Sequence, residues 1–282
     1  MNEQWNNATS CTSHTYFERK QLLISGSYGL RIAANGTLLC PVFSIAGDLI
    51  SFQRVYLDNV TGKFEKRFFK GLSTKSGFLT FGNLKDDDEV YFAEGVATAI
   101  TIHHSTNKPV ICVYGKHFDS IAPIIAESYP NKRYIYCADA TSDNERSTSE
   151  DNAKKAIDKI GGNVYIPNFS RIPAQLQPEI PRSDYNDLFT LLLAHGLSIN
   201  DALEDVSQQL TFQPTLHTEI LQKLTKKIVT INFKTLAGLE DNQTITRGHF
   251  LIIIVEEVLR IAALNSWGIC RYHDFIYVFN GA

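Results

Sequence analysis

The sequence predicts an α/β fold: a mainly parallel sheet flanked by helices, with an N-terminal β-rich subdomain before it and a helical C-terminal tail after it. Three observations predict this. Apolar runs at 90–93, 110–114, 134–138 and 163–166 alternate with helix-tolerant stretches at about 96–105, 118–128 and 150–160, the rhythm of a parallel sheet with helices on both faces. Ahead of them, 38–43, 49–57, 64–69 and 77–81 are short β-rich runs broken by turn residues, which reads as an antiparallel meander. Two of the later runs end in a lone carboxylate: Val90-Tyr91-Phe92-Ala93 runs into Glu94-Gly95, and Tyr134-Ile135-Tyr136-Cys137-Ala138 into Asp139. In open α/β sheets chemistry sits at the carboxyl ends of strands.

In chain order, residues 1–12 are polar and read as loose, and 13–34 as a helix or short helical hairpin. The meander occupies 37–81. Asp86-Asp87-Asp88-Glu89 reads as a solvated connector into the first core strand. The glycine after Glu94 marks a tight turn, with a helix starting near Val96. Pro167 and the proline-bearing stretch 173–181 form an irregular linker to Asp184, after which 188–195 and 200–210 read as helices. In the tail, 216–231 is a basic amphipathic helix with Lys223, Lys226 and Lys227, 250–264 is another helix, and 272–281 is a strand of a hairpin. The expected divisions are 1–84, 85–196 and 197–282.

Composition narrows the function classes. The 282 residues are 44% hydrophobic and 20% charged, with a formal net charge of −3, so any nucleic-acid surface is a local patch rather than a global field. None of the five cysteines forms a C-x-x-C, and Cys40, Cys112 and Cys137 lie in apolar runs, which suits buried thiols in a reducing cytosol. Cys11 and His14 are two candidate ligands only, so no structural zinc is expected. The chain opens without a secretory leader, and the apolar run 250–255 is far short of the ~20 residues a membrane span needs. A cytoplasmic protein with no membrane partner is expected.

The candidate chemistry begins with Glu94 and Asp139. Hard divalent cations want carboxylate oxygens on rigid elements, and two strand-end acids separated by a strand–helix unit suit a metal site for phosphate chemistry. The bland alternative for Glu94 is an acid stabilised at a helix N-terminus. Asp184 and Asp187 fit a helix N-cap box, with a place near a metal as the functional alternative. Lys66, Arg67, Lys70 and Lys75, interleaved with Phe64, Phe68 and Phe69, are either a solvated face or a phosphate- and base-binding groove. Lys116 and His117 follow a strand and could face the same cleft, whereas His103 and His104 read as surface histidines.

Several segments together carry a resemblance: His14-Thr15-Tyr16-Phe17-Glu18-Arg19-Lys20, Leu39-Cys40-Pro41-Val42 with Gly47-Asp48-Leu49-Ile50-Ser51-Phe52-Gln53, Lys66-Arg67-Phe68 with Gly71, Glu94-Gly95-Val96-Ala97-Thr98-Ala99, and Asp184-Tyr185-Asn186-Asp187-Leu188. In this order, over roughly 13–196, they resemble the Toprim-domain primases of plasmids and phages, often fused to a helicase. The end, Tyr272 to Gly281, is similar to the run that leads from such primases into the helicase linker. No G-x-x-x-x-G-K-[ST] phosphate loop is present, so a primase part without the motor is expected. The resemblance implies a metal-dependent nucleotidyltransferase of a bacterial or phage-infected cell. It would make short primers on single-stranded DNA from nucleoside triphosphates with Mg²⁺ or Mn²⁺, and a replicative helicase is a further candidate partner. Glu94 would bind metal or act as general acid/base, and Asp139 and Asp143 would hold metal. Lys66, Arg67, Lys70 and Lys116 would hold nucleic acid or nucleotide, and Asp184 and Asp187 would stand beside the metals. One position departs from the family: its D-x-D is here Asp139-Ala140-Thr141, with Asp143 the next acid. A Toprim nuclease and a catalytically degenerate nucleic-acid-binding module therefore remain open.

Overall fold

A computed structural model describes residues 2–24, 28–69, 72, 74–115, 117–140, 148–173, 176, 180–211, 267–272 and 275–280. Residues 1–212 form one compact unit and 213–282 another. The first contains α1 (Asn2–Asn6), β1 (Thr9–Ser10), α2 (Thr15–Arg19), β2 (Arg31–Ile32), β3 (Leu38–Phe43), β4 (Leu49–Leu57), β5 (Phe64–Arg67), β6 (Leu79–Phe81), β7 (Glu89–Ala93), α3 (Val96–Thr106), β8 (Val110–Cys112), α4 (Phe118–Ser128), β9 (Arg133–Cys137), α5 (Thr148–Ile160), β10 (Asn163–Tyr165), α6 (Tyr185–Ala194) and α7 (Ile199–Thr211). The second contributes an antiparallel pair, β11 (Trp267–Tyr272) and β12 (Phe275–Asn280). The helices expected at 216–231 and 250–264 lie outside the described residues.

The fold is mixed α/β, with two five-stranded sheets in the first unit. One has the order β1-β2-β3-β4-β5 and is antiparallel. The other has the order β10-β9-β7-β8-β6 and is parallel except at its β6 edge. Alternation along the parallel strands explains its two cores. Tyr91, Ala93, Ile135 and Cys137 face a cluster that includes Ile100 of α3, Leu188 and Leu191 of α6, and Val206 of α7. Val90, Phe92, Tyr134 and Tyr136 face Ile121 and Ile125 of α4 and Ala153 and Ala156 of α5. A sheet covered on both faces reads as continuous apolar runs, the pattern seen in the sequence. In the antiparallel sheet, Leu38, Cys40 and Val55 join the first of these cores. Leu39 and Phe52 point the other way, where Trp5 of α1 covers them.

Four expectations change. The N-terminal residues are not all loose, because the buried Trp5 anchors α1, stacking on Phe52 at 5.6 Å. Helix over 13–34 shrinks to α2: His14 caps it by accepting the Tyr16 amide, the left-handed Gln21 (φ 55) ends it, and Arg31–Ile32 join the sheet. The run 77–81 leaves the meander. Phe78 makes one bridge to Phe43, and Leu79–Phe81 then pair with β8 as the edge of the parallel sheet. The acidic connector is not merely solvated, since Asp87 pairs with Lys108 at 2.6 Å and Glu89, already in β7, pairs with Arg133. Helix α7 packs in the first unit through the buried Ala202, Val206 and Leu210.

One turn admits only glycine. Gly162 enters β10 at φ +119, and a Cβ there would stand 2.5 Å from the Tyr134 carbonyl oxygen. Backbone cannot yield as a side-chain tip can, and the conformation is itself strained for an L-residue. Gly162→Ala is expected to destabilise the first unit by ~1–3 kcal/mol, read as a lower urea midpoint. An unchanged midpoint would mean that this turn re-forms elsewhere.

Candidate functional site

Parallel pairing builds the site. Ala93 of β7 lies opposite Cys137 of β9, so the chain leaves both strands on the same sheet edge, with Glu94 one residue and Asp139 two residues beyond that pair. Behind Glu94 the chain turns at once into α3. Gly95 is the N-cap and has no side chain to cap with, and the amides of a first helical turn favour anionic ligands. The Glu94 carbonyl is taken up by the Gly115 amide at 2.9 Å, which ties this turn to the one after β8. There Tyr114 holds a left-handed backbone (φ 55), and its hydroxyl donates to the Pro41 carbonyl at 2.5 Å.

Asp139 is positioned by two backbone contacts. Its own amide donates to Ser149 Oγ at 3.0 Å, and the next amide, of Ala140, donates to the Ser183 carbonyl at 2.6 Å. The second contact draws in the N-terminus of α6. Asp184 caps that helix, Oδ1 accepting the Asn186 and Asp187 amides at 2.8 and 2.9 Å. Asp187 accepts from Ser183 Oγ at 2.7 Å and pairs with Lys20 at 3.3 Å. Asn186, fully buried, donates to the Lys20 carbonyl and to Thr101 Oγ1, both at 3.0 Å. The N-cap reading of Asp184 thus describes its local contacts, and the same contacts set it near Asp139.

The electrostatics follow. Burial first, then the charges of Glu94, Asp184 and Asp187, push the Asp139 carboxyl up to about 8, and Lys66 opposes them. Asp184 keeps some solvent contact, yet it too is raised, by burial and then by Asp187, against Lys20 and Lys66. Lys66 pairs across the sheet with Val55 and so points to the inner face, its Nζ 5.5 Å from the Tyr16 ring centroid. Its side chain reaches solvent while protein crowds it. Burial lowers its ammonium, but Tyr16 and Asp184 outweigh that and hold it above its ordinary value.

Glu94, Asp139, Asp184, Asp187 and Lys66 are therefore within electrostatic reach of one another. Arg67 is not with them. As the next residue of β5 it points to the other face, where it pairs with Glu65 at 2.8 Å. Asp143, Lys70 and Lys116 lie outside the described residues. Phe64, Phe68 and Phe69 turn their rings onto Tyr16, Tyr114 and Phe52 at 5.3, 5.7 and 4.9 Å, so they pack rather than stand open for bases. His103 and His104 are half-buried against Tyr28, and burial, with the His103 charge, lowers His104, which corrects the surface reading. Ser149 and Ser183 had no signal in the sequence beyond proximity to acids.

No group of three or more His, Cys, Asp or Glu among the described residues is spaced to hold a metal ion. The donors at the strand ends are nonetheless all hard oxygens, and their mutual repulsion is of the kind a divalent cation relieves. Glu94 and Asp139 fit such an ion in chemistry, as a pair awaiting further oxygens.

No family model matches the chain. Among solved structures it is similar to the RNA polymerase domain of Mycobacterium tuberculosis primase DnaG, at 18% identity over 75% of this chain and 80% of that one, with a TM-score of 0.34. It is likewise similar to a DNA primase domain from Pseudomonas aeruginosa, at 12% identity over 74% of each chain and a TM-score of 0.35. A DnaG catalytic core matches at 14% identity over 70% and 71%, with a TM-score of 0.34. At this degree of likeness the chemistry has to be argued from the chain's own residues. Among the described residues no helix is long and apolar enough to cross a membrane.

Asp139 makes stability depend on pH. Its carboxyl rises from 3.8 to about 8 on folding, so between those values the folded chain holds a proton that the unfolded chain releases. That contribution is full below the unfolded value and is lost as pH rises through the folded one. The metal-free protein should therefore melt at a lower temperature near pH ~9 than near pH ~5, and Asp139→Asn should flatten the difference. Mn²⁺ should raise the alkaline melting temperature of the parent but not of the variant. A parent profile as flat as the variant's would remove the buried carboxyl from the account.

Proposed function

We propose that the chain is a primase-like nucleotidyltransferase of plasmid or phage type, acting on single-stranded DNA and nucleoside triphosphates with Mg²⁺ or Mn²⁺. The observation that carries the reading is the pair of carboxylates, Glu94 and Asp139, at the ends of two parallel strands paired in register, with Lys66 among their charges. Nucleotidyl transfer needs little covalent help from protein; it needs phosphates positioned and charge neutralised. Glu94 and Asp139 would hold the divalent ion, which supplies charge neutralisation and an activated hydroxyl. Lys66, charged at neutral pH and held above its ordinary value, would bind a phosphate beside them. The uncapped amides at the start of α3 would receive a second phosphate oxygen. Asp184 and Asp187 would act from behind, shaping the field at Asp139 and fixing Lys20. Asp143, Lys70 and Lys116 remain candidates from the sequence, and a replicative helicase remains a candidate partner.

A second reading has one observation in its favour: Thr141 stands where the resembled primases carry a second aspartate. A binding module that has lost catalysis would keep Lys66 and need no metal. Incubation with single-stranded template, labelled nucleotides and Mn²⁺ separates the readings. Extension products are expected, and Glu94→Gln or Asp139→Asn should reduce them by ~10²–10⁴-fold. Asp143→Ala should abolish them if that residue completes the ligand set. Shortened template instead of extension would indicate a nuclease, and neither product would leave the binding module.

A further inference from the structure

The outer face of the antiparallel sheet carries a feature that the carboxylate site does not use. Arg54 of β4 and Arg67 of β5 lie directly opposite each other. Directly opposed residues share a face, and like charges so placed are destabilising. The same row continues through Leu39 to Arg31 of β2. At ~4.8 Å per strand step, Arg31 to Arg67 spans about 14 Å. Each guanidinium is held by its surroundings. That of Arg31 lies 4.6 Å from the Trp5 ring centroid and donates to the Trp5 carbonyl at 2.8 Å. That of Arg54 lies 4.6 Å from the Phe69 ring centroid, with a long 3.5 Å bond to the Phe68 carbonyl, and its Nε is buried without a hydrogen-bond partner. Glu65 offsets Arg67 alone. Beside the row, Arg54, Tyr56, Thr37, Asn35, Gln4 and Leu57 line a pocket of about 370 Å³. Tyr56 is 37% exposed at its rim.

Arginines in a line, an exposed aromatic ring and amide side chains around a pocket of nucleotide size are the parts of a single-strand binding track. Such a track needs cations along the backbone and a platform on which bases stack. We propose that this outer face binds single-stranded nucleic acid, with backbone phosphates on Arg54 and Arg67 and one base against Tyr56 in the pocket. A row that crosses several strands suits a chain of phosphates rather than one. The track is separate from Lys66: Val55 and Lys66 form the neighbouring cross-strand pair and point to the inner face. It therefore deepens the proposed function, supplying a second contact for the strand that the carboxylate site acts on.

The test is anisotropy of a labelled single-stranded oligothymidylate with the full chain, at several salt concentrations, for Tyr56→Ala, Arg67→Gln and Arg54→Gln. Tyr56→Ala should weaken binding ~10-fold. Each arginine variant should reduce the salt slope by ~0.7. Arg54→Gln also removes packing on Phe69, so Arg67→Gln and Tyr56→Ala, both at exposed positions, carry the result if Arg54→Gln misfolds. Mn²⁺ binding should be unchanged in Tyr56→Ala and Arg67→Gln. Affinity and slope equal to the parent in those two variants would overturn the track, as would displacement of the oligonucleotide by equimolar free nucleotide. Loss of binding in these variants from a protein that makes no primers would keep the track and sink the proposed catalysis, so the two failures are distinguishable.

Discussion

Two carboxylates at adjacent strand ends are the constraint to which the rest of the first unit answers. Parallel pairing of Ala93 with Cys137 makes the neighbourhood of Glu94 and Asp139 unavoidable. Apolar packing on both sheet faces removes water from behind them. A buried carboxylate near others is costly unless it is protonated, paired or metal-bound, and the rise of Asp139 is the mark of that cost. Lys66 from β5 opposes that cost directly, and Lys20 after α2 offsets Asp184 and Asp187, the acids at the N-terminus of α6 that add to it. The Ala140–Ser183 hydrogen bond keeps that helix end in place.

The antiparallel sheet has two chemistries because a strand has two faces. Lys66 and Arg67 are neighbours in sequence and belong to different surfaces: Lys66 shares a row with Val55, and Arg67 shares one with Arg54. Period-two alternation makes this a matter of register, not of proximity. The inner row is anchored in the large core through Leu38 and Val55. The outer row rests on the small cluster of Trp5, Leu39 and Phe52. Helix α1 holds five residues, and its one buried aromatic is enough to close that cluster and to orient Arg31.

Much of this was legible in the sequence, for physical reasons that differ by element. The strands β7 and β9 and the helices α3, α4 and α5 were readable because buried parallel strands are continuous apolar runs and their helices alternate with them. Glu94 and Asp139 stood out because a charge ends each run. The Asp184 cap was readable because acids three residues apart before an apolar stretch form a recognised box. What was not legible depends on tertiary choice. The move of Leu79–Phe81 to the second sheet rests on one bridge and an available edge strand. The burial of His103 and His104 depends on Tyr28, distant in sequence. The separation of Lys66 from Arg67 needs the pairing register, which composition does not contain.

The departure at Thr141 has to be weighed against what α6 contributes. In a D-x-D pair the second acid adds both an oxygen and a negative charge beside the first. Here the charges at Asp139 already include Asp184 and Asp187 as well as Glu94, so negative charge gathers there from both the strand ends and α6. The two acids of α6 differ in what they have left to give. Asp187 is committed, with Oδ1 on Lys20 and Oδ2 on Ser183. Asp184 takes both capping amides on Oδ1, and Oδ2 is not used in the cap. Its carboxyl is raised by burial and Asp187 against Lys20 and Lys66, and its charge in turn raises Asp139. The Ala140–Ser183 bond joins the strand-end segment to the N-terminus of α6 one residue after Asp139.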